Sequence, residues 1–367
     1  MHSSGAKKIL FFPLGNVLGH LTRTLALAEE FDAQGHEVYV AVTDSCSHIT
    51  RLLPSSIRIL PTPEMYASAS QHFGPIEHYD ESAANDRMNL QNSSQMDESE
   101  LRRRGKRMEQ MVQRDTAIIE EIHPDAIITD YRFTTLLTQS NHTQEVFHIS
   151  HVLGYPSFYR RVLGKFPFPL DEGHILVPGL KNIEYWRRRP RVSNSQHRET
   201  MCGMFRWDGW KRLQQDAPRP PHSEIFLFFG STGNGRQIVP WLLRELQDHY
   251  HISCISQVLT DRDDRSNVHV SRRGDLEGFL ERTEVVLCHG GHGTVMECIL
   301  HRTPMLIFPH NIEQLEIGRR IEKMRLGVLA KRPYHQFSGK ELIEIIEKTR
   351  TDSRIRANLE KYSRLIR

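Results

Sequence analysis

Between Glu284 and Gln314 the chain carries a run of residues whose types and order share one chemistry. An apolar stretch, Glu284–Cys288, leads into His289-Gly290-Gly291-His292-Gly293, and a helix is expected to begin at Gly293–Thr294. Val295-Met296-Glu297 follows, then a second apolar strand at Pro304–Phe308 and a polar turn ending in Glu313-Gln314. A strand, a glycine turn and a helix N-terminus together make an anion site. The first N–H groups of a helix lack intrahelical partners, and the helix dipole places partial positive charge at that end. The spacing suits a ligand with a diphosphate at one end and hydroxyls at the other, a nucleotide sugar. A bare turn would need the glycines, for positive φ, but not His289 or Glu313-Gln314 as well.

These residues carry a resemblance. The run His289, Gly291, Gly293, Thr294, Glu297, then Pro304-Met305 and Pro309, then Glu313-Gln314 resembles the donor-site signature of the GT-B nucleotide-sugar glycosyltransferases. The similar branch is that of the antibiotic and plant natural-product UDP-glycosyltransferases. So many fixed positions in one short segment are more specific than a lone glycine motif. The resemblance implies an α/β protein with two Rossmann-like, doubly wound domains facing each other across a cleft. The N-terminal half would bind the acceptor and the C-terminal half the nucleotide sugar. His289 and the N–H groups of Gly291–Thr294 would stabilise the diphosphate, and Glu297 would bind the ribose hydroxyls. Glu313 and Gln314 would hold hydroxyls of the donor sugar, and Ser231 and Thr232, after Gly230, would face the phosphates. The residue types alone leave other roles open. Thr294-x-x-Glu297 also reads as a capping box, Ser231 and Thr232 as a simple cap, and Glu313-Gln314 as the start of a surface helix.

A transferase also needs a base for the acceptor hydroxyl. His20 follows Gly19 at a strand–loop–helix junction, at the C-terminal edge of the first sheet, where doubly wound folds place ligands. An imidazole suits proton abstraction near neutral pH. The family takes its base from a Gly-His-x-x-Pro motif. Here Gly19-His20-Leu21-Thr22-Arg23 lacks the proline, which loses a preformed helix start but keeps the imidazole. Asp130, ending the Asp125–Asp130 segment, resembles the family's partner aspartate that orients the base. His151, after the Val146–Ser150 strand and also at a sheet edge, is another candidate, read rather as a residue expected to line the acceptor cleft or cap a loop. The implied reaction is inverting and metal-independent: a hexose moves from a UDP- or TDP-sugar to a hydroxyl of a small-molecule acceptor. No cofactor is expected beyond the donor substrate, and no metal, since a helix N-terminus can serve as the positive element. Asp261-Arg262-Asp263 has metal-like spacing but sits in a polar loop.

The elements needed to position these groups are legible as alternation of strands and helices. Lys7–Phe12, Glu37–Val42, Ile57–Leu60, Ala126–Thr129 and Val146–Ser150 read as buried strands. His20–Ala33 reads as a helix with Leu21, Leu25, Ala28 and Phe31 on one face, stopped by Gly35. A second helix is expected over Ser99–Glu121, after a polar stretch, 66–100, read as a long loop with short helices. Residues 184–222 break the pattern with Arg/Pro clusters. Beyond them Glu224–Phe229, His251–Ser256, Val268–Ser271 and the two strands of the donor run form a second set. Helices are expected at Glu313–Arg325, Lys340–Lys348 and Arg354–Ile366. Repeated strand–helix–strand units mean a mostly parallel, doubly wound sheet. We assign residues 1–205 to an acceptor domain, 206–222 to a linker and 223–350 to a donor domain. Residues 351–367 are expected to form a helix packing back on the first domain.

Composition bounds the reading. The 367 residues suffice for two cores, and a net charge of +3 is too small to argue for nucleic acid. The five cysteines form no CxxC pair, which fits buried free thiols in a reducing compartment. Met1–Lys8 is polar and no apolar run approaches a membrane span, so a cytoplasmic protein is expected. Two alternatives stay open. One is a transferase at the membrane acting on a lipid-linked acceptor, similar to the peptidoglycan N-acetylglucosaminyltransferase. Peripheral contact would run through Arg102–Arg104, Arg187–Arg189 and the Phe166–Pro169 segment. The other is a non-catalytic nucleotide-sugar binder.

Overall fold

The computed structural model describes residues 5–14, 18–62, 98–130, 132, 144–149, 174–180, 183, 198–209, 212, 220–230, 235–256, 259, 266–271, 276–310 and 312–366. They fall into two compact units, the first running to residue 212 and the second from residue 213. The expected loop at 66–97 lies outside the described residues, as do Ser231, Thr232, His151, Asp261–Asp263, Arg187–Arg189 and Phe166–Pro169.

The first unit holds seven strands: β1 (Lys8–Pro13), β2 (Glu37–Thr43), β3 (Arg58–Thr62), β4 (Ala126–Asp130), β5 (Glu145–Ile149), β6 (His174–Pro178) and β7 (Arg198–Gly203). All neighbours pair parallel, in the order β3-β2-β1-β4-β5-β6-β7. β1 is apolar at nearly every position because both its faces are covered. Ile9 and Phe11 join Leu21, Leu25 and Ala28 of helix α1 (Leu18–Ala33) in one core. Leu10 and Phe12 join Ile118, Ile119 and Ile122 of α2 (Glu98–Ile122) on the opposite face. Burying each such side chain contributes about 1.5–3 kcal/mol. Gly35, at φ 85°, lets the chain leave α1 and enter β2. Trp207 is buried in the α1-side core, and Arg212 pairs with Glu29 of α1.

The second unit is a six-stranded parallel sheet of β8 (Ser223–Phe228), β9 (Ile252–Ile255), β10 (Val268–Ser271), β11 (Thr283–Cys288), β12 (Met305–Ile307) and β13 (Gly327–Leu329). Its order is β10-β9-β8-β11-β12-β13. The helices are α3 (Gly235–Leu246), α4 (Leu276–Leu280), α5 (His292–Leu300), α6 (Ile312–Lys323), α7 (Gly339–Thr351) and α8 (Ser353–Ile366). Ile225, Leu227, Val285 and Leu287 pack with Ile238 and Leu242 of α3 and with Leu342 and Ile346 of α7. α7 opens on a capping box between Ser338 and Glu341. α8 rests on α5 within this unit, where Arg302 bonds Glu360 at 2.8 Å, and Asn358 Nδ2 donates to Met324 O at 3.1 Å.

Both sheets are doubly wound, as the strand pattern predicts. In each, the chain builds outward on one side and then returns to the centre to build the other. The return lies between β1 and β4 in the first sheet and between β8 and β11 in the second. Loops leave these strand pairs in opposite directions, which opens a crevice at their carboxyl ends. Strands β6, β7 and β13 and helices α3 and α4 are additions to the expected elements, and β7 falls inside the stretch read as irregular. The donor-run helix begins earlier than expected, at His292. Among the described residues no helix is long and apolar enough to cross a membrane.

One buried ion pair ties α2 to the first sheet. Arg132, just past β4, forks onto Asp115 of α2 with side-chain exposures of 1% and 0%. Its Nη1 also donates to Ala41 O and Thr62 Oγ1, both at 3.3 Å, and its guanidinium lies 5.0 Å from the Phe12 ring centroid. Arg132→Ala removes the guanidinium that forks onto the buried Asp115 carboxylate, so a loss of about 3–5 kcal/mol in urea unfolding is expected. Replacing both partners by apolar residues should cost clearly less than the single change.

Candidate functional site

Each crevice holds residues singled out by sequence. In the first unit, Pro13 ends β1 opposite Asp130, which ends β4. Leu14 N donates to Asp130 O at 2.9 Å, fixing that edge. α1 starts at Leu18, so His20 stands in its first turn. His20 Nδ1 lies 2.7 Å from Asp130 Oδ1, with side-chain exposures of 14% and 0%. The two predicted partners, far apart in sequence, therefore meet. With Nδ1 turned to the carboxylate, Nε2 is on the opposite edge of the ring.

A third member was not foreseen. Arg23 Nε bonds Asp130 Oδ2, and Arg23 Nη2 lies 2.5 Å from Asp130 Oδ1 and 2.7 Å from His20 Nδ1. Thr24 Oγ1 donates to His20 O at 2.9 Å and lies 3.4 Å from Asp130 Oδ2. Arg23 occupies the position where the resembled motif has proline. The available signal was its i, i+3 spacing from His20, which puts both on one helix face. Burial alone would push the Asp130 carboxyl up. The Arg23 guanidinium and then His20 outweigh that and hold it at about 2.

In the second unit the crevice lies between Phe228, ending β8, and Cys288, ending β11, which are register partners. Gly230 and Gly290 have φ of 71° and 80°. A Cβ on Gly230 would stand 3.0 Å from His289 Cε1, and one on Gly291 would stand 2.5 Å from His289 Nε2. The imidazole of His289 is thus framed by two bare backbones, one from each central strand. A Cβ on Gly290 would meet Ile307 Cγ2 at 2.7 Å and Gln314 O at 3.3 Å, so this glycine lets α6 approach the turn.

α5 begins at His292 with Gly291 as its N-cap, and no side chain caps it among the described residues. The first N–H groups of a helix have no partner inside it, and they point toward the turn. A Cβ on Gly293 would meet nothing within 4 Å among the described residues, so there is open space beside this helix end. Because Gly291 is the N-cap, Thr294 lies inside the helix and the Thr294–Glu297 capping box does not form. Glu297, one turn on, is half-buried, with Oε2 3.5 Å from His301 Nε2. Cys288 just before the turn is buried, and desolvation pushes its thiol up to about 12, so it stays protonated.

Gln314 is buried in α6, and its Oε1 accepts from His310 N at 2.8 Å, closing the turn between β12 and α6. His310 packs edge-on to Phe229, with centroids 6.2 Å apart. Desolvation pulls its imidazole down to about 4, so it is neutral at pH 7. The backbone of Glu313 lies in the first turn of α6, and its side chain is outside the described residues. Among the described residues no three His, Cys, Asp or Glu side chains are grouped as a metal site.

The Asp130 cluster sets a pH dependence. Its folded carboxyl titrates at about 2 against an ordinary 3.8. A carboxyl depressed by folding contributes stability above its unfolded value, and that contribution is lost as pH falls from about 4 toward 2. The amount is on the order of 2 kcal/mol. Urea midpoints measured from pH 6 downward should show this component in the wild type and lack it in Asp130→Asn. Parallel curves for the two proteins would contradict the assignment.

No family model matches the chain. In sequence it is 22% identical over 337 residues to an uncharacterized glycosyltransferase of Methanosarcina acetivorans, covering 82% of this chain and 77% of that one. In structure it matches the spinosyn rhamnosyltransferase SpnG complexed with spinosyn aglycone, with TM-score 0.69, 17% identity and coverage of 98% and 95% of the two chains. The Streptomyces sp. SF2575 glycosyltransferase SsfS6, complexed with thymidine diphosphate, matches with TM-score 0.63, 17% identity and coverage of 98% and 95%. The chain has the GT-B fold, and its relatives in sequence and in structure are glycosyltransferases.

Proposed function

We propose that the chain is an inverting glycosyltransferase that moves a hexose from a UDP- or TDP-sugar to a hydroxyl of a small-molecule acceptor. In this reading the diphosphate lies at the N-terminus of α5, against the N–H groups of Gly291–Thr294 and His289. Glu297 takes the ribose hydroxyls, and Ser231 and Thr232 contribute to the phosphates. Glu313 and Gln314 address the donor sugar. Gln314 Oε1 also accepts from His310 N, which fixes the orientation of its amide.

The acceptor hydroxyl attacks the anomeric carbon on the face opposite the diphosphate. The bond to the leaving oxygen breaks, its electron pair departs with the diphosphate, and configuration inverts. His20 Nε2 takes the hydroxyl proton, while Asp130 orients the ring from Nδ1. A positioned base of this kind contributes roughly 10²–10⁴-fold in rate. The dipole of α5 and His289 supply the positive element, so the reaction as proposed needs no metal ion. The buried thiols Cys46, Cys254, Cys288 and Cys298 support a reducing, cytoplasmic setting.

The observation that supports this reading most is the His20–Asp130 contact, which joins a solvent-reaching imidazole to a buried carboxylate at a sheet's crevice. SsfS6 was solved with thymidine diphosphate and SpnG with an aglycone, which supports a nucleotide-sugar donor and a small acceptor.

Thermal-shift screening against UDP- and TDP-sugars tests the donor half. Donor at 100 times its Kd should add about 2.7 kcal/mol of stability. His289→Ala should abolish that gain. His20→Ala should keep it and lower kcat by about 10²–10⁴-fold. A nucleotide sugar that never stabilises the protein, or His20→Ala transferring at the wild-type rate, would sink the reading.

A further inference from the structure

Asp130 Oδ1, His20 Nδ1 and Arg23 Nη2 form a tight triangle, with separations of 2.7 Å, 2.5 Å and 2.7 Å. Two of its corners have fixed roles. A guanidinium nitrogen only donates, and an ionised carboxylate oxygen only accepts. The imidazole Nδ1 is the corner whose role chemistry must decide. As an acceptor it would take a hydrogen from Arg23, but its lone pair would face a charged oxygen 2.7 Å away with no proton between them. As a donor it makes a charge-assisted bond to Oδ1, and Arg23 Nη2, 2.7 Å away, is then a second donor sharing Oδ1 and not a partner of the ring. The carboxyl held at about 2 has no proton of its own to offer, which favours the donor form.

We propose that Arg23 is a positioning residue for the base. Its fork, through Nε and Nη2, pins the Asp130 carboxylate so that Oδ1 meets His20 Nδ1, and its charge keeps the imidazole neutral with the lone pair on Nε2. This rests on the reading of His20 as the base. A buried aspartate alone beside a histidine stabilises the imidazolium, and an imidazolium cannot take a proton. The permanent charge of Arg23 cancels the charge of Asp130. The three side chains then sum to zero with neutral His20 and to +1 once the acceptor's proton arrives, so that proton is held weakly and is released after each turnover. Among the described residues, the charged group nearest the ends of the other strands is Asp44, exposed just past β2. β1 closes on Phe12-Pro13 and β2 on Val42-Thr43, and Thr24 of α1 adds only a hydroxyl.

The test is a long-range ¹H–¹⁵N correlation spectrum of the full chain labelled at histidine, with His20→Gln used to assign the His20 signals. In the wild type at neutral pH, Nδ1 is expected to carry the hydrogen and Nε2 the lone pair. In Arg23→Met the His20 titration midpoint should move to higher pH by about one unit or more, since a neighbouring like charge has been removed. The acid limb of kcat/KM for sugar transfer should move with it. Arg23→Lys keeps the charge but not the fork, so its midpoint should stay near the wild-type one while kcat falls about tenfold, a loss of orientation. A wild-type spectrum with the hydrogen on Nε2, or an Arg23→Met midpoint equal to the wild-type value, would overturn the proposal. Should Arg23→Met not fold, the wild-type tautomer and the Arg23→Lys midpoint decide. Transfer that persists in His20→Ala would instead remove His20 as base. The spectra would still report what Arg23 does to the ring, so the two failures are distinguishable.

Discussion

Asp130 carries a charge at the end of a central strand with no exposed surface. Moving such an ion out of water costs several kcal/mol even after relaxation, and one good partner seldom offsets that. The first unit offsets it with a guanidinium fork, an imidazole and a nearby hydroxyl, all from one face of α1. That requirement fixes more than the carboxylate. It sets the rotation of α1 about its axis, because Arg23 and Thr24 must look inward beside Leu21 and Leu25, which pack on β1 from the same helix. The polar cluster and the apolar stripe therefore specify the same helix orientation. A changed rotation would expose leucines and strand a charge together.

The two sheets repeat one topology with different chemistry at the same structural place. In the first, the crevice between β1 and β4 is furnished with side chains. In the second, the crevice between β8 and β11 is furnished largely with backbone. Three glycines there do separate jobs: Gly230 and Gly291 leave room for the His289 ring, and Gly290 takes a left-handed φ and admits α6. Alanine at Gly290 would be both strained and crowded, since its Cβ would stand 2.7 Å from Ile307 Cγ2. At Gly230, Gly290 and Gly291 the geometry of the turn leaves no room for a Cβ, whereas one on Gly293 would meet nothing among the described residues.

That difference explains which features the sequence disclosed. Backbone-built sites leave a local record, so the run from His289 to Gln314 is readable in the sequence as a strand, a turn and a helix. Side-chain clusters leave none. His20 and Asp130 could be paired only through resemblance, and Arg23 registered as a missing proline, although the i, i+3 spacing was there. The sheets were legible where strands are buried on both faces, as in Lys8–Pro13 and Ser223–Phe228. They were not legible where strands are short or mixed. Gly327–Leu329 has three residues, and Arg198–Gly203 is an edge strand with no apolar run. Local patterning also could not rank competing roles. Thr294 and Glu297 satisfy the capping-box spacing, but the helix starts at His292, so that role passes to the backbone of Gly291. Gln314 has the residue type of a sugar ligand, yet its oxygen holds the His310 N–H.

The contrast between the two crevices also has an energetic sense. The partner of a permanent buried charge must match it in full, and a guanidinium does so. The proposed diphosphate is a visitor that must depart once per turnover. A helix N-terminus presents roughly half a charge and stabilises an anion by about 0.3–2 kcal/mol, depending on burial. A desolvated ion pair is worth several kcal/mol to break. Holding the proposed leaving group with N–H dipoles and one imidazole would stabilise charge as it develops without making its release the slow step. A buried arginine serving the carboxylate and a helix N-terminus serving the proposed diphosphate would then be two answers to one question: whether the anion is meant to stay.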